Sequence, residues 1–355
     1  MSSCCAFHPF RRALRSLLLI CLSALLVACG DGPLVRQESF VFGTRVEVVT
    51  QGAPEAQAQA AIAAVLREFD RLHNTYHAWQ PSELTTLNQG LAHGDTVSVQ
   101  PEMLGLIRSA QHYAELGDHL FDPAIGQLIQ LWGFHTDTFV ARLPDPAALR
   151  KLIAAKPRIS DLQIDGNRIR SNNPAVELDF GGIAKGWALD KAATILRAHG
   201  IHNALINIGG NVMALGAKGK QPWTVGIQHP RASGPLATLA LYDGEAIGTS
   251  GDYQRFFDLG GRRYSHLLDP RTGEPARHTE AVTVLITPRP EAGMLSDVAS
   301  KPIFLAGTDG WREMARRFKV NHVLRVDDTG KIFVSTDMRA RLRWAQGVEP
   351  GEVVE

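Results

Sequence analysis

Glu177-Leu178-Asp179-Phe180-Gly181-Gly182-Ile183-Ala184-Lys185 sets carboxylates, two glycines and a lysine where a predicted strand gives way to a predicted helix. Backbone N–H groups at a helix start attract anions, glycine lets a phosphate come close, and Lys185 adds a full positive charge. The unit is a candidate pyrophosphate cradle, although Gly-Gly turns with a surface lysine also occur for packing alone. It matches neither the G-x-x-x-x-G-K-[ST] loop nor the G-x-G-x-x-G fingerprint. In Ser265-His266-Leu267-Leu268-Asp269-Pro270-Arg271-Thr272-Gly273, His266 is a candidate base for a hydroxyl, with Asp269 near enough to orient it. The same residues also read as a β-turn with proline at its second position. Asp122-Pro123, between Gly117 and Gly126, poses the same choice. Asn207-Ile208-Gly209-Gly210-Asn211 reads as a tight turn or as a backbone wall against a flat ligand. Asp297 falls just inside a predicted helix, where an aspartate either caps and complements the dipole or gives one oxygen to Mg²⁺.

The elements that must position these groups mix helices with hairpin-spaced strands. Alternation over 38–50 predicts a strand interrupted by Gly43. Helical spacing of Ile62, Val65, Leu66, Phe69 and Leu72 predicts a helix over 54–73, and others are expected over 101–116 and from Pro144-Asp145-Pro146 to about Ala155. Strands are predicted over 161–165, 168–171, 175–180, 203–208, 222–228, 236–241, 263–268 and 281–287, with helices over 184–199, 294–305 and 309–318. Regular strand–helix alternation is absent, so the expected class is α+β: one unit of two lobes with antiparallel sheets and packed helices.

Taken together, these segments resemble the ApbE family of FAD:protein FMN transferases. The resemblance runs in order from Phe42-Gly43-Thr44 through Ser82-Glu83-Leu84 and Leu87-Asn88, then the clusters above, to Asp297 and Gly307. It implies FAD as donor, Mg²⁺ dependence, and FMN transfer to a Thr or Ser hydroxyl of a membrane redox-complex subunit, with release of AMP. By motif, Leu120, Phe121, Asp122 and Leu268 line the FAD site, Asp179 and Lys185 contact the donor, and His266 is the base. Gly182 would give Mg²⁺ a carbonyl and Asp297 a carboxylate. Phe42 stands where the family usually has Met, and Tyr76 or Trp79 would supply the aromatic that contacts the flavin. Lys301 departs from the family's usual Thr metal ligand; an ammonium cannot ligate Mg²⁺, and four residues after Asp297 it would sit over that side chain. An FAD pyrophosphatase yielding FMN and AMP, and a non-catalytic FAD-binding lipoprotein, are the alternatives.

The N-terminus reads as an address. Arg11, Arg12 and Arg15 precede the apolar run Ser16–Val27, which closes on Leu26-Val27-Ala28-Cys29-Gly30. That resembles a lipobox with Cys29 as the acylated residue, which places the protein on the periplasmic side of a membrane, held by lipid. The other three cysteines, Cys4, Cys5 and Cys21, precede Cys29, so no thiol chemistry belongs to the folded part. The expected organisation is a signal peptide over 1–28, a lipidated tether over 29–37, the transferase unit over 38–342 and a loose tail over 343–355. The chain carries 37 Lys+Arg against 36 Asp+Glu and no basic stripe with interleaved aromatics, which excludes a nucleic-acid binder.

Overall fold

The computed structural model describes residues 32–136 and 138–354, so the expected signal peptide and Cys29 lie outside the described residues. Nine strands form the central sheet, and their order in space is their order along the chain. They are β1 (Leu34–Val41), β2 (Thr44–Gln51), β3 (Ala204–Ile208), β4 (Asn211–Leu215), β5 (Ala246–Gly251), β6 (Ala281–Ile286), β7 (His322–Val326), β8 (Ile332–Ser335) and β9 (Glu352–Val354). Neighbours pair antiparallel up to β8, which pairs parallel with β9.

Successive side chains of a strand point to opposite faces, and this sheet buries both. Val46 and Val48 enter one core while Val49 enters the other; Met213 and Leu215 oppose Val212 and Ala214 in the same way. Helices α1 (Glu55–Thr75), α2 (Ala184–Ala198) and α3 (Ala292–Leu305) cover the first face. On α1 the residues Ile62, Val65, Phe69 and Leu72 form the buried stripe that helical periodicity requires. A three-stranded sheet of Trp223–Gln228, Pro235–Leu241 and Leu342–Trp344 covers the second face. A smaller core of Leu128, Trp132, Phe134, Phe257, Tyr264 and Leu268 sits under the hairpin Phe256–Leu259/Arg262–Ser265.

The crossing of α2 and α3 builds the floor of the site. A Cβ on Gly186 would lie 2.3 Å from the Gly293 carbonyl oxygen, and a Cβ on Gly293 would lie 2.6 Å from that of Gly186. Only glycine permits such an approach. Neither helix has a side-chain cap of its own at its start. Each borrows one from the other. Asp190 of α2 accepts from the N–H groups of Gly293 (2.9 Å) and Met294 (2.8 Å), while Asp297 of α3 accepts from Gly186 N–H at 2.9 Å. These bonds satisfy donors that helix starts otherwise leave open.

The α+β class, the antiparallel pairing and the helices over 101–116 and 146–155 agree with the sequence. Four expectations need correction. The strand over 38–50 is a hairpin, because Phe42 (φ 57°) and Gly43 (φ 67°) form a two-residue left-handed turn between β1 and β2. The tether over 29–37 is shorter than expected, since β1 already pairs with β2 from Leu34. Residues 175–180 are not a ladder strand: Glu177 makes one isolated bridge to Ile125, and Phe180–Gly182 is a short 3₁₀ turn. The segment 343–355 is no loose tail, because Leu342–Trp344 pairs with the strand Pro235–Leu241 and β9 pairs with β8.

Candidate active site

A cleft of about 1090 Å³ opens between the helix layer, the start of α2 and the small hairpin. It gathers the candidate residues within the described chain: Phe42 and Tyr76 on one wall, Leu120, Phe121 and Asp122 on another, His266 and Leu268 from the hairpin, and Asp179, Gly182, Lys185, Asp297 and Lys301 along the floor.

The Gly-Gly turn is set by Asp179. Its Oδ1 accepts from Gly181 N–H at 2.7 Å, which shapes the 3₁₀ turn feeding α2, and its Oδ2 accepts from Trp79 Nε1–H at 3.2 Å. Burial pushes the Asp179 carboxyl above the usual range, opposed by those N–H bonds and by the nearby Arg255 and His77. Space at Gly182 is tight: a Cβ there would meet the Phe121 ring at 3.0 Å and Lys301 Cε at 3.3 Å.

Asp297 is 2 % exposed and lies among cations. Lys301 Nζ stands 2.7 Å from its Oδ1 and also donates to the Asp297 carbonyl oxygen at 2.7 Å, while Lys185 Nζ is 4.0 Å from the same Oδ1. Burial alone would raise the carboxyl, but Lys185, Lys301 and Gly186 N–H outweigh it and hold Asp297 below the usual range. Lys301 in turn is lowered by burial and by Lys185, against the pull of Asp297. Unit charges 4 Å apart near a protein surface interact by about 4 kcal/mol. A divalent ion on Oδ1 would have to displace the Lys301 ammonium and then bear several kcal/mol of repulsion from both lysines. An ammonium also has no lone pair to offer. The residues present therefore do not fit Mg²⁺ as the resemblance implied, and Lys301 is a counter-charge rather than a ligand.

His266 is partly buried on the hairpin wall. Its Nδ1 pairs with the Arg255 carbonyl oxygen at 3.1 Å, so Nδ1 carries the proton and Nε2 is left with a free lone pair. Burial, then the charges of Arg255, Lys185 and Lys301, push the imidazole down to about 3, which keeps it neutral across the physiological range. The expected orienting role of Asp269 is not found. That carboxylate turns to Arg271 Nη2 at 2.7 Å, and its backbone closes the turn through Gly273 N–H at 2.7 Å. The turn reading of 207–211 holds: Gly209 (φ 58°) and Gly210 (φ 95°) make the β3–β4 turn, and that turn lines the cleft.

Asp122 lines the cleft, but its carboxylate is committed to structure. It accepts from Ile159 N–H (2.9 Å) and Ala124 N–H (3.0 Å) and pairs with His119 Nδ1 (2.7 Å). Tyr76 is nearly buried, edge-on to Phe180 and Trp187, with its hydroxyl on Glu102. Trp79 is 37 % exposed at the mouth and carries the Arg255 guanidinium 5.4 Å from its ring centre. Arg255 was missed from sequence because Asp252-Tyr253-Gln254-Arg255 has no motif spacing; its place follows only from the hairpin, where Nη2 donates to the carbonyls of Phe134 and Thr136.

The ApbE family model matches residues 42–324, which spans the cleft apart from Phe40 and Val41. The chain belongs to the ApbE family. Its relatives include a FAD:protein FMN transferase of Rhodobacter capsulatus, 42% identical over 94% of this chain and 63% of that protein, so the chain spans somewhat under two thirds of that relative's length. Another, of Treponema pallidum, is 31% identical over 76% of this chain and 79% of its own. Among solved structures, an ApbE protein of Thermotoga maritima aligns with a TM-score of 0.78 at 31% identity, covering 88% of this chain and 100% of that one. The flavin transferase ApbE of Vibrio cholerae aligns at 0.76 with 26% identity, over 87% and 99%. In this ApbE chain the floor of the cleft rests on the crossing of α2 and α3.

Proposed function

We propose that this protein transfers FMN from FAD to a threonine or serine hydroxyl of an acceptor protein. The observation that carries the reading is one cleft holding a neutral imidazole with a free Nε2 and a floor with two lysines, Lys185 at the start of α2 and Lys301 from α3. The acceptor oxygen attacks the FMN-side phosphorus, the bond to the AMP phosphate breaks, and the hydroxyl proton passes to His266 Nε2. Lys185, Lys301 and the α2 N–H groups neutralise charge on the diphosphate and on departing AMP, the main contribution a protein makes to phosphoryl transfer. Trp79 gives the flavin or adenine ring an exposed aromatic face. The acceptor is a subunit of a membrane redox complex. The protein works on the periplasmic side, anchored through a lipid on Cys29; among the described residues no helix is long and apolar enough to cross a membrane.

Incubation with FAD and a threonine-bearing acceptor domain should yield AMP and covalently attached FMN in equal amounts. His266→Asn should slow this by roughly 10²–10⁴-fold, the usual share of one general base, with FAD affinity nearly unchanged. Free FMN in place of the attached form would make the protein a pyrophosphatase, and FAD retained intact would make it a binding protein.

A further inference from the structure

We infer that Lys301 and Lys185 replace a divalent cation at the cleft floor, so that the nucleotide diphosphate is held without a metal ion. The inference rests on FAD being the bound nucleotide and adds how its charge is met. Every atom of Asp297 that a metal would need is already engaged: Oδ1 and the carbonyl oxygen by Lys301 Nζ, both at 2.7 Å, and Oδ2 by Gly186 N–H at 2.9 Å. With Lys185 Nζ 4.0 Å from Oδ1, the Asp297 carboxylate faces two ammonium groups, a local excess of positive charge beside the start of α2. A site of that sign repels cations and attracts a diphosphate. The geometry also fixes how the charge is presented. Lys301 is pinned by two bonds to Asp297, and its side chain is 14% exposed, so a small part of it faces the cleft. Lys185, with 26% of its side chain exposed, leans on the Gly181 carbonyl at 3.3 Å and is freer to move onto a ligand. Asp297 thus acts as a positioning residue for a tethered cation.

The test is FAD affinity, read from flavin fluorescence in EDTA and in excess Mg²⁺, for wild type, Lys301→Thr and Lys301→Arg, with each fold checked by circular dichroism. Wild type and Lys301→Arg should bind FAD equally in both conditions, within about twofold. Lys301→Thr should bind about tenfold or more weakly in EDTA and regain affinity with Mg²⁺, because a ligand oxygen replaces the ammonium. AMP release by wild type should likewise survive EDTA. Wild-type binding that collapses in EDTA, with the same Mg²⁺ dependence in Lys301→Thr, would overturn the inference while leaving FAD as the ligand. Absence of FAD binding in both conditions would overturn the reading of the donor itself, and this inference with it.

Discussion

Replacing Gly186 by alanine tests the claim that the floor depends on a glycine-only helix crossing. The added Cβ would lie 2.3 Å from the Gly293 carbonyl oxygen, 2.6 Å from Asp297 Cβ and 2.7 Å from Met294 Cα, so α2 and α3 must part by roughly 1 Å to restore ordinary contact. Helix α3 has little room to retreat, because a Cβ on Gly248 of β5 would already be 2.2 Å from the Ser296 carbonyl oxygen. Overpacking of this kind costs about 1–3 kcal/mol, and stretching the Gly186 N–H bond to a charged carboxylate about 1.5–3 more. Better helix propensity returns about 1 kcal/mol. The net loss of about 1.5–5 kcal/mol should lower the melting temperature by roughly 2–8 °C in a unit of this size. Gly105→Ala is the control: it sits exposed in the helix Pro101–Leu116 with no atom within 4 Å of the new Cβ, and should stabilise by about 0.5–1 kcal/mol. Thermal unfolding by circular dichroism reads both. If the two variants shift in the same direction, the close approach of α2 and α3 is not what holds the floor.

Two further outcomes concern charge and address. Burial pushes the Asp190 carboxyl up to about 6 from an ordinary 3.8, opposed by the Gly293 and Met294 N–H groups and reinforced by Glu291. A raised folded value means this group favours the fold below pH 3.8 and loses that contribution as pH rises through about 6. Asp190→Asn removes the slope, so its urea stability relative to wild type should improve between pH 4.5 and pH 7; a pH-independent difference would show that Asp190 keeps an ordinary carboxyl. Cys29→Ser should leave FAD binding intact and release the protein from membranes, and wild type found unacylated in the soluble fraction would remove the lipid-anchor proposal.

How far the sequence reveals this molecule depends on the range of the forces involved. Helices with a strong apolar stripe, such as α1, and those with local punctuation, such as Asp145 capping Pro146–Ala155, were legible because neighbours in sequence decide them. The β1–β2 hairpin was read as one strand because its turn puts Phe42, not only Gly43, in the left-handed region. Phenylalanine gives no local warning of that; the pairing of Leu34–Val41 with Thr44–Gln51 imposes it. The end of the chain looked loose for a similar reason. Three residues of β9 form a strand only because β8 offers an edge.

The site divides along the same line. The clusters around Asp179, Lys185 and His266 announced themselves by composition, and the cleft brings them together. The partners were a different matter. Asp269 is three residues from His266 yet turns to Arg271, while the imidazole is fixed by the carbonyl of Arg255, eleven residues earlier, across the hairpin. The pairing of Lys301 with Asp297 was readable from their spacing of four on a helix. What spacing could not say is that Asp297 also caps the neighbouring helix. Because Oδ2 is held by Gly186 and Oδ1 by Lys301, the carboxylate serves the fold and the site at once. That double duty separates two substitutions that look alike in sequence. Asp297→Asn would leave two ammonium groups without their counter-charge and one helix start less well capped, a loss of both stability and ligand binding. Lys301→Thr removes only one of the cations and leaves the Gly186 bond in place.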